Sequence, residues 1–445
     1  MAGYQQILLS ALITQILSLL DDSGGLYWQA AECQFAIWEA LRVFGATTAF
    51  YRQRGTFNIK PTDPNAPYYD MSALLPALRS RSWSLGQMVT EIQYHLLENP
   101  SGIGGAGASG QIPIIAILAA IQRARNRFVI DCRLPNAIHP NFQSVSPPNG
   151  LVQFPQSSVF VHRVAWQDAG GGWANLWRDD AWVFDHSDET WPVDPGMPEA
   201  YSEAELSPLQ LQMYPPPQNA GTLEAVTVDS LLIDTSNAAS TFNIPDEWTH
   251  AVKYAAMEEL LTGGNQLTDQ LRAQYCGQRY QQAVAFARDA RSIIRITCNG
   301  NPLPIDSMAA MDAGQCFWRN QAGPPQMAGI LYDIAIINPA TPDQQYGMGA
   351  DLVTPAPLPG LNQYVPIGEE NLQDIIDYSV NYLLLKCGGV EFKSTMSLLD
   401  NFQRAMATRK GVNAAKIRYF EPLFGQWQRE QSMRPDAKMA PAGGK

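Results

Sequence analysis

Apolar and polar positions along the chain follow two rhythms. Through residues 5–20 the apolar residues crowd at helical spacing, and "DDSGG" (21–25) breaks the run. A second predicted helix carries Trp28, Ala31, Phe35, Trp38 and Leu41 at three- and four-residue intervals. A short extended stretch near Thr56–Ile59 and a Pro/Tyr loop follow. Ser84 and Gln87 have capping-box spacing, with Met88, Val89, Ile92 and Leu96 as the apolar stripe behind them. After "SGIGGAGASG" (101–110) the pattern predicts another helix from about Pro113 to Arg125.

From about 145 to 235 the rhythm changes. "SVFVHRVAWQ" (158–167) and "WANLWRDDAWVFDH" (173–186) are rich in β-branched and aromatic residues and are cut by Gly and Pro, which predicts strands. Leu209, Leu211 and Met213 alternate with Gln210, Gln212 and Tyr214 as in a half-buried strand, and Thr222–Val228 is β-prone. Pro215–Gly221 between them is expected to cap a hairpin. Helical spacing resumes at Asp246, an N-cap candidate after Pro245, with Trp248, Val252, Ala255 and Ala256 facing inward. A helix over about 269–288 presents Cys276, Tyr280, Ala283, Val284 and Ala287. Residues 299–366 hold ten prolines and little periodicity, which predicts an extended arm or binding loop. A helix bearing Leu372, Ile375, Ile376, Ser379 and Leu383 stops at Gly388-Gly389, and another passes through Leu398, Phe402 and Met406.

The fold class expected is therefore α+β. A mainly helical body of antiparallel helices would carry an inserted small antiparallel β domain and long Pro-rich arms. The segments are an N-terminal helical domain (1–144), the β domain (145–240), a helical continuation (241–298), the arm (299–366), C-terminal helices (367–420) and a basic tail (421–445).

Composition sharpens this picture. The chain has 445 residues, 46% of them hydrophobic and only 16% charged, with 32 Pro and 11 Trp. That is too apolar for disorder and suits surface destined for burial against other chains. The net charge of −12 argues against general nucleic-acid affinity. It is also uneven: residues 401–445 hold nine Lys/Arg against three Asp/Glu, a net of +6. A basic tail on an acidic body suits an acidic partner, and Phe424, Trp427, Arg429 and Arg434 are its candidate subunit or partner contacts. Six scattered cysteines without a CxxC pair read as reduced thiols. The apolar stretch Ile7–Leu20 lacks a basic flank and is too short for a bilayer, so no membrane partner is expected.

Catalytic signals are sparse. "GIGGAG" (Gly102–Gly107), followed by a helix and Asp131, imitates a dinucleotide site, but a helix rather than a buried strand precedes it. "FDHSDET" (184–190) gathers Asp185, His186, Asp188 and Glu189 but lacks the glycine of a calcium loop and a second histidine for zinc. A polar turn explains it as well. Histidines 95, 139, 162, 186 and 250 are scattered, and no nucleophile, base and orienter assemble locally. The expectation is a non-enzyme with no cofactor and no metal. Trp166, Trp173, Trp177, Trp182 and Trp191 in the β region leave two readings, buried anchors or a sugar-stacking surface, and the first is favoured.

Several stretches together carry a resemblance. "LLDDSGGLYWQAAECQFAIWEALRVFG" (19–45) with "YRQRGTF" and "YYDM" resembles the opening of head–tail adaptor, or neck, virion proteins of tailed bacteriophages. "VFVHRVAW", "LWRDDAWVFDH", "YPPPQNAGTLEAVTV" and "IPDEWTHAVKYAAMEELL" resemble their middle, and "DQLRAQYCGQRYQQAV" and "IIDYSVNYLLLKCGGVEF" later parts. The resemblance implies a connector in the virion neck, a homo-oligomeric ring (twelve-fold in such proteins) between portal and tail. Its partners would be further copies, the portal protein, tail or other neck proteins, and double-stranded DNA passing through without sequence-specific contact. An acidic lumen that repels phosphate fits this role. The alternatives are a tail-fibre, collar or baseplate component binding host glycan, or a virion-associated hydrolase.

Overall fold

The computed structural model describes the chain except residues 1–5, 64–65, 75–82, 98–111, 135, 148–149, 188–193, 205–208, 231, 264–268, 289, 291, 309–310, 313–317 and 411–445. It is α+β and forms two compact units. One comprises residues 1–50, 358–381 and 395–445; the other comprises 51–357 and 382–394.

The first unit is helical where described. Helix Leu9–Leu19 buries Leu9, Leu12, Ile13, Ile16 and Leu17 on one stripe. Helix Ala30–Thr48 buries Cys33, Ala36, Ile37, Ala40, Leu41 and Phe44. This corrects the expected stripe: Trp28 and Leu41 are buried, but Ala31 and Phe35 face solvent and Trp38 lies at the margin. Counting from bulky aromatics rotated the predicted face, because small Ala and Cys side chains let helices approach closely. Phe402, in the helical stretch 396–410, packs on Tyr378 (ring centroids 4.7 Å apart), and Tyr378 Oη donates to the buried Glu39 at 2.8 Å.

The second unit opens with β1 (Arg52–Ile59) and β2 (Tyr68–Asp70). Helix Leu85–His95 has the expected box: Gln87 N–H donates to Ser84 Oγ at 3.2 Å and Ser84 N–H to Gln87 Oε1 at 3.0 Å. Met88, Val89, Ile92 and Leu96 are buried behind it. Helix Ile114–Cys132 runs a further two turns beyond the predicted end, and helices Thr249–Thr262 and Gln270–Arg288 pack beside it. The Asp246 carboxylate accepts the Trp83 N–H at 2.8 Å, and a 3-10 turn, Asp246–Trp248, precedes the α-helix.

The β region is a mixed seven-stranded sheet of β3 (Asn136–Val145), β4 (Leu151–Gln153), β5 (Ser158–Asp168), β6 (Trp173–Arg178), β7 (Ala200–Ala204), β8 (Gln210–Tyr214) and β9 (Gly221–Asp229). Its order is β3-β9-β5-β6-β7-β8-β4, and two expectations change. Residues 181–187 are helical rather than strand, with Asp180 Oδ1 accepting the Trp182 N–H at 3.1 Å; after that detour β7 returns parallel to β6. Pro215–Gly221 is not a hairpin tip, because β8 pairs with β4 and β7 while β9 pairs with β3 and β5. Alternation along each strand revealed β8 and β9 but not their partners.

This sheet must curl. Its edge strands β3 and β4 are consecutive in the chain, and the step from Val145 to Leu151 spans at most ~22 Å. Flat, seven strands would hold those edges ~29 Å apart. Curling lets Val145, Val152, Trp166, Leu211, Met213 and Leu223 share one core. Gly221 permits the tightest contact, since a Cβ there would overlap the Trp166 ring and the Gln167 carbonyl.

The expected arm instead contains a series of short strands. Residues 293–353 form β10 (Ile293–Cys298), β11 (Asn301–Pro302), β12 (Ile305–Asp306), β13 (Ala322–Gly323), β14 (Met327–Leu331), β15 (Ile334–Asn338), β16 (Thr341–Pro342) and β17 (Tyr346–Val353). Two four-stranded sheets result, β1-β17-β10-β11 and β12-β14-β15-β2, beside a two-stranded β13-β16 ladder. The first two share a core that includes Ile59, Tyr69, Ile296, Ile337 and Met348. Asn299 (φ 48) and Gly300 (φ 86) turn β10 into β11 with the left-handed pair that a two-residue hairpin requires.

Candidate functional site

The densest polar constellation is buried and joins three sheets or segments of the second unit. Alternation along β9 turns Glu224 away from the Leu223 and Ala225 core toward β2 and the 318–320 turn. Its Oε1 accepts from Arg163 Nη1 at 2.9 Å and from the Tyr68 hydroxyl, and its Oε2 accepts from Arg319 Nη2. Arg163 Nη1 also donates to Tyr68 Oη at 2.8 Å, and its Nε reaches Asp312 Oδ2 at 3.0 Å. Asp312 Oδ1 accepts from Trp318 Nε1 (2.9 Å) and Asn175 Nδ2 (2.7 Å). Arg319 lies over the Trp173 ring, 4.2 Å from its centroid. Burial works to lower the Arg163 pKa, but Tyr68, Asp312 and Glu224 outweigh it and raise it above its ordinary value. Burial raises the Tyr68 phenol. Two guanidinium groups and two carboxylates thus cancel, with every carboxylate committed to a protein donor. Such an arrangement fixes how the sheets meet, and it leaves the buried Arg319 Nε and Nη1 without a hydrogen-bond partner among the described residues.

A second buried network sits among the helices. Lys253 Nζ donates to Glu91 Oε2 (3.2 Å) and Tyr382 Oη (2.9 Å), and Tyr382 Oη donates to the same Glu91 oxygen at 2.8 Å. The ammonium also stands 4.3 Å from the Tyr382 ring centroid.

One cavity holds groups of catalytic type. It measures about 560 Å³ and lies at the C-terminal ends of helices Ile114–Cys132 and Gln270–Arg288, lined by Asp131, Cys132, Arg133, His162, Arg288 and Tyr332 among others. Burial, aided by Asp131, pushes the Cys132 thiol up to about 12, so it stays protonated near neutral pH. Burial and the Arg133 charge hold His162 down at about 4, against a smaller opposing hydrogen bond to the Arg133 backbone. A reactive cysteine needs the reverse arrangement, a stabilised thiolate beside a cation. Asp131 accepts the Tyr280 hydroxyl at 2.6 Å, and Arg288 Nε donates to the Asp131 carbonyl at 2.6 Å, so these groups serve the helix ends.

The sequence candidates scatter. Gly102–Gly107, Asp188, Glu189 and the tail residues Phe424, Trp427, Arg429 and Arg434 lie outside the described residues. His186 lies against Trp182 with centroids 4.3 Å apart and planes tilted by 32°; His95 is fully buried, edge-on to Tyr382. Among the described residues no group of three or more His, Cys, Asp or Glu is arranged to hold a metal, and no helix is long and apolar enough to cross a membrane. Trp166 is buried, whereas Trp177 and Trp182 are 59% and 64% exposed.

Sequence reasoning missed one feature of the first unit. In the loop after the first helix, the Asp22 carboxylate accepts three backbone N–H groups, from Leu26 (2.9 Å), Tyr27 (2.8 Å) and Trp28 (2.7 Å). These bonds, that of Trp28 foremost, lower the Asp22 pKa. The loop is therefore fixed, yet it holds Leu26 93% and Tyr27 57% exposed. The signal was present in "DDSGGLYW", an acid placed before Gly-Gly and two large apolar residues. No family model and no curated protein matches the chain.

Proposed function

We propose that this chain is a non-enzymatic structural subunit of a tailed-phage neck, forming a ring between portal and tail through which DNA passes. The observation that carries the reading is the Asp22 loop. Three hydrogen bonds order a backbone that buries Trp28, sets Tyr27 edge-on against it at 4.9 Å, and holds Leu26 93% and Tyr27 57% exposed. Presenting Leu26 and Tyr27 on a fixed loop lowers the entropy cost of docking on another protein. Leu8, Leu361 and Tyr364 form a further exposed apolar group on the same unit, held together by the Leu8–Tyr364 bridge. The ordered resemblance along the sequence supplies the neck context, and the acidic body suits a conduit for DNA. Mixing the purified chain with a tailed-phage portal and imaging by electron microscopy tests this: stacked rings are expected, and a monomer that ignores portal and tail proteins overturns it.

One observation favours a second reading. Trp177 and Trp182 are exposed beside Asp179 and Asp180, as in a surface that stacks sugar rings. Glycan-array binding that disappears with Trp177→Ala or Trp182→Ala would assign the chain to a fibre, collar or baseplate instead.

A further inference from the structure

The outward face of the β1-β17-β10 sheet holds a shallow trough with no part in the reading above. Side chains alternate across a strand, so Phe57, Ile59, Met348 and Ala350 enter the core while Arg54, Thr56 and Asn58 face out. The pairing register then lays rows across three strands. Arg54–Asp351–Arg295 is one, Thr56–Gly349–Thr297 the next, and Asn58–Gly347 the last, where Asn299 closes the far side by donating its N–H to the Gly347 carbonyl at 2.7 Å. The central strand contributes glycine to two rows; Arg54 covers the Gly349 row, while the Gly347 row leaves bare backbone between polar rails, within a space of about 270 Å³.

Gly349 has an internal explanation. Arg54 lies across it, its Nη2 donating to Thr297 Oγ1 at 3.1 Å, and a Cβ would come within 2.9 Å of that nitrogen. Gly347 has none of this kind, since a Cβ there would meet only Asn299 Oδ1 at 3.5 Å and Asn58 Oδ1 at 3.9 Å. Glycine inside a strand often marks close approach by another chain or ligand. The rails supply donors. Asn299 Oδ1 accepts the Gly347 N–H at 3.1 Å, which leaves its amide nitrogen for a ligand, and Arg54 reaches Asp351 only at 4.0 Å. Arg52, Arg54 and Arg295 are exposed beside Asp351, on a chain of net charge −12.

We propose that this trough binds an extended, carboxylate-bearing polypeptide segment, its acid seated between Arg54 and Asn299. β1 and β10 stand two strand spacings apart, ~9.6 Å, and Arg54 spans that width at the Gly349 row, so the segment would lie over the open Gly347 row with its acid against the Arg54 guanidinium. Duplex DNA, with one charge per ~1.7 Å, would also meet the acidic remainder of the surface and be repelled.

The test is fluorescence anisotropy of the full chain with a short labelled peptide alternating Asp and Thr, beside its Asn/Thr isostere. Saturable binding of the Asp peptide is expected, weakened at least about tenfold by Arg54→Gln, by Gly347→Val and by added salt. Gly347→Val blocks the floor without changing charge, and thermal melting checks that it folds; Gly347→Ala replaces it if it does not. Arg178→Gln, on the seven-stranded sheet, should leave binding unchanged. Failure of the Asp peptide to bind, equal binding of the isostere, indifference to the trough variants, or displacement of the peptide by a DNA duplex would each overturn the proposal.

Discussion

Glu224→Gln isolates the energetics of the buried cluster. The substitution keeps the side-chain shape but removes the charge that both Arg163 and Arg319 face. Arg163 retains Asp312 at 3.0 Å. For Arg319, Glu224 is the only recorded carboxylate partner among the described residues, so its guanidinium is left against the Trp173 and Tyr68 rings. Stranding one buried cation in this way costs about 3–5 kcal/mol. Domains are stable by only about 5–15 kcal/mol, so a large share of the margin goes. At roughly 2–4 °C per kcal/mol, Tm should drop by about 6–20 °C in calorimetry at pH 7. Asp312→Asn should cost less, because Glu224 still faces Arg163. The double variant Glu224→Leu with Arg319→Leu should recover part of the loss, since it removes the stranded charge with its partner. A Glu224→Gln protein melting within about 2 °C of the parent would refute the reasoning, because the stranded charge would then cost less than about 1 kcal/mol.

Four further outcomes are expected. Gly221→Ala should destabilise the curled sheet by about 2 kcal/mol or more, because the new methyl overlaps Trp166 and the Gln167 carbonyl; urea unfolding measures it. Burial, then the Asp377 charge, raises Asp374 to about 6. The folded state therefore holds that proton more tightly than the unfolded chain, and this contribution is present below about pH 4 and lost as pH rises through 6. Asp374→Asn should stabilise at pH 7 by about 1 kcal/mol after allowing for solvent screening, and do nothing at pH 3.5. Leu26→Asp with Tyr27→Ser should abolish oligomers in light scattering while leaving Tm within about 1 °C, because both side chains are exposed in the single chain. Deleting 421–445 should weaken assembly onto a neighbour and leave the melting midpoint unchanged.

Helices were the legible part of the fold, because their signal is local. The Ser84/Gln87 box and the Met88–Val89–Ile92–Leu96 stripe lie within one short window. Strand pairing is not local: β1 runs antiparallel to β17, with Arg52 opposite Val353, and nothing in either segment names the other. The two-residue ladders β11, β12, β13 and β16 are too short to show alternation, so a Pro-rich, sparsely patterned stretch looked like an arm. One signal there was readable, the Asn299-Gly300 pair that turns β10 into β11. The buried cluster was not readable at all. Tyr68, Arg163, Glu224, Asp312 and Arg319 come from five separate segments, and each alone reads as an ordinary surface polar residue. The Pro215–Gly221 turn shows the same limit, since its flanking strands were visible but their places in the sheet were not.

Native mass measurement of the purified chain, with and without a portal ring, tests the central claim most directly. The account predicts a closed homo-oligomer, at twelve times the monomer mass if the resemblance to neck proteins holds in full, seating on the portal and lost in the Leu26→Asp, Tyr27→Ser variant. A chain that stays monomeric at high concentration and passes the portal without binding would contradict it.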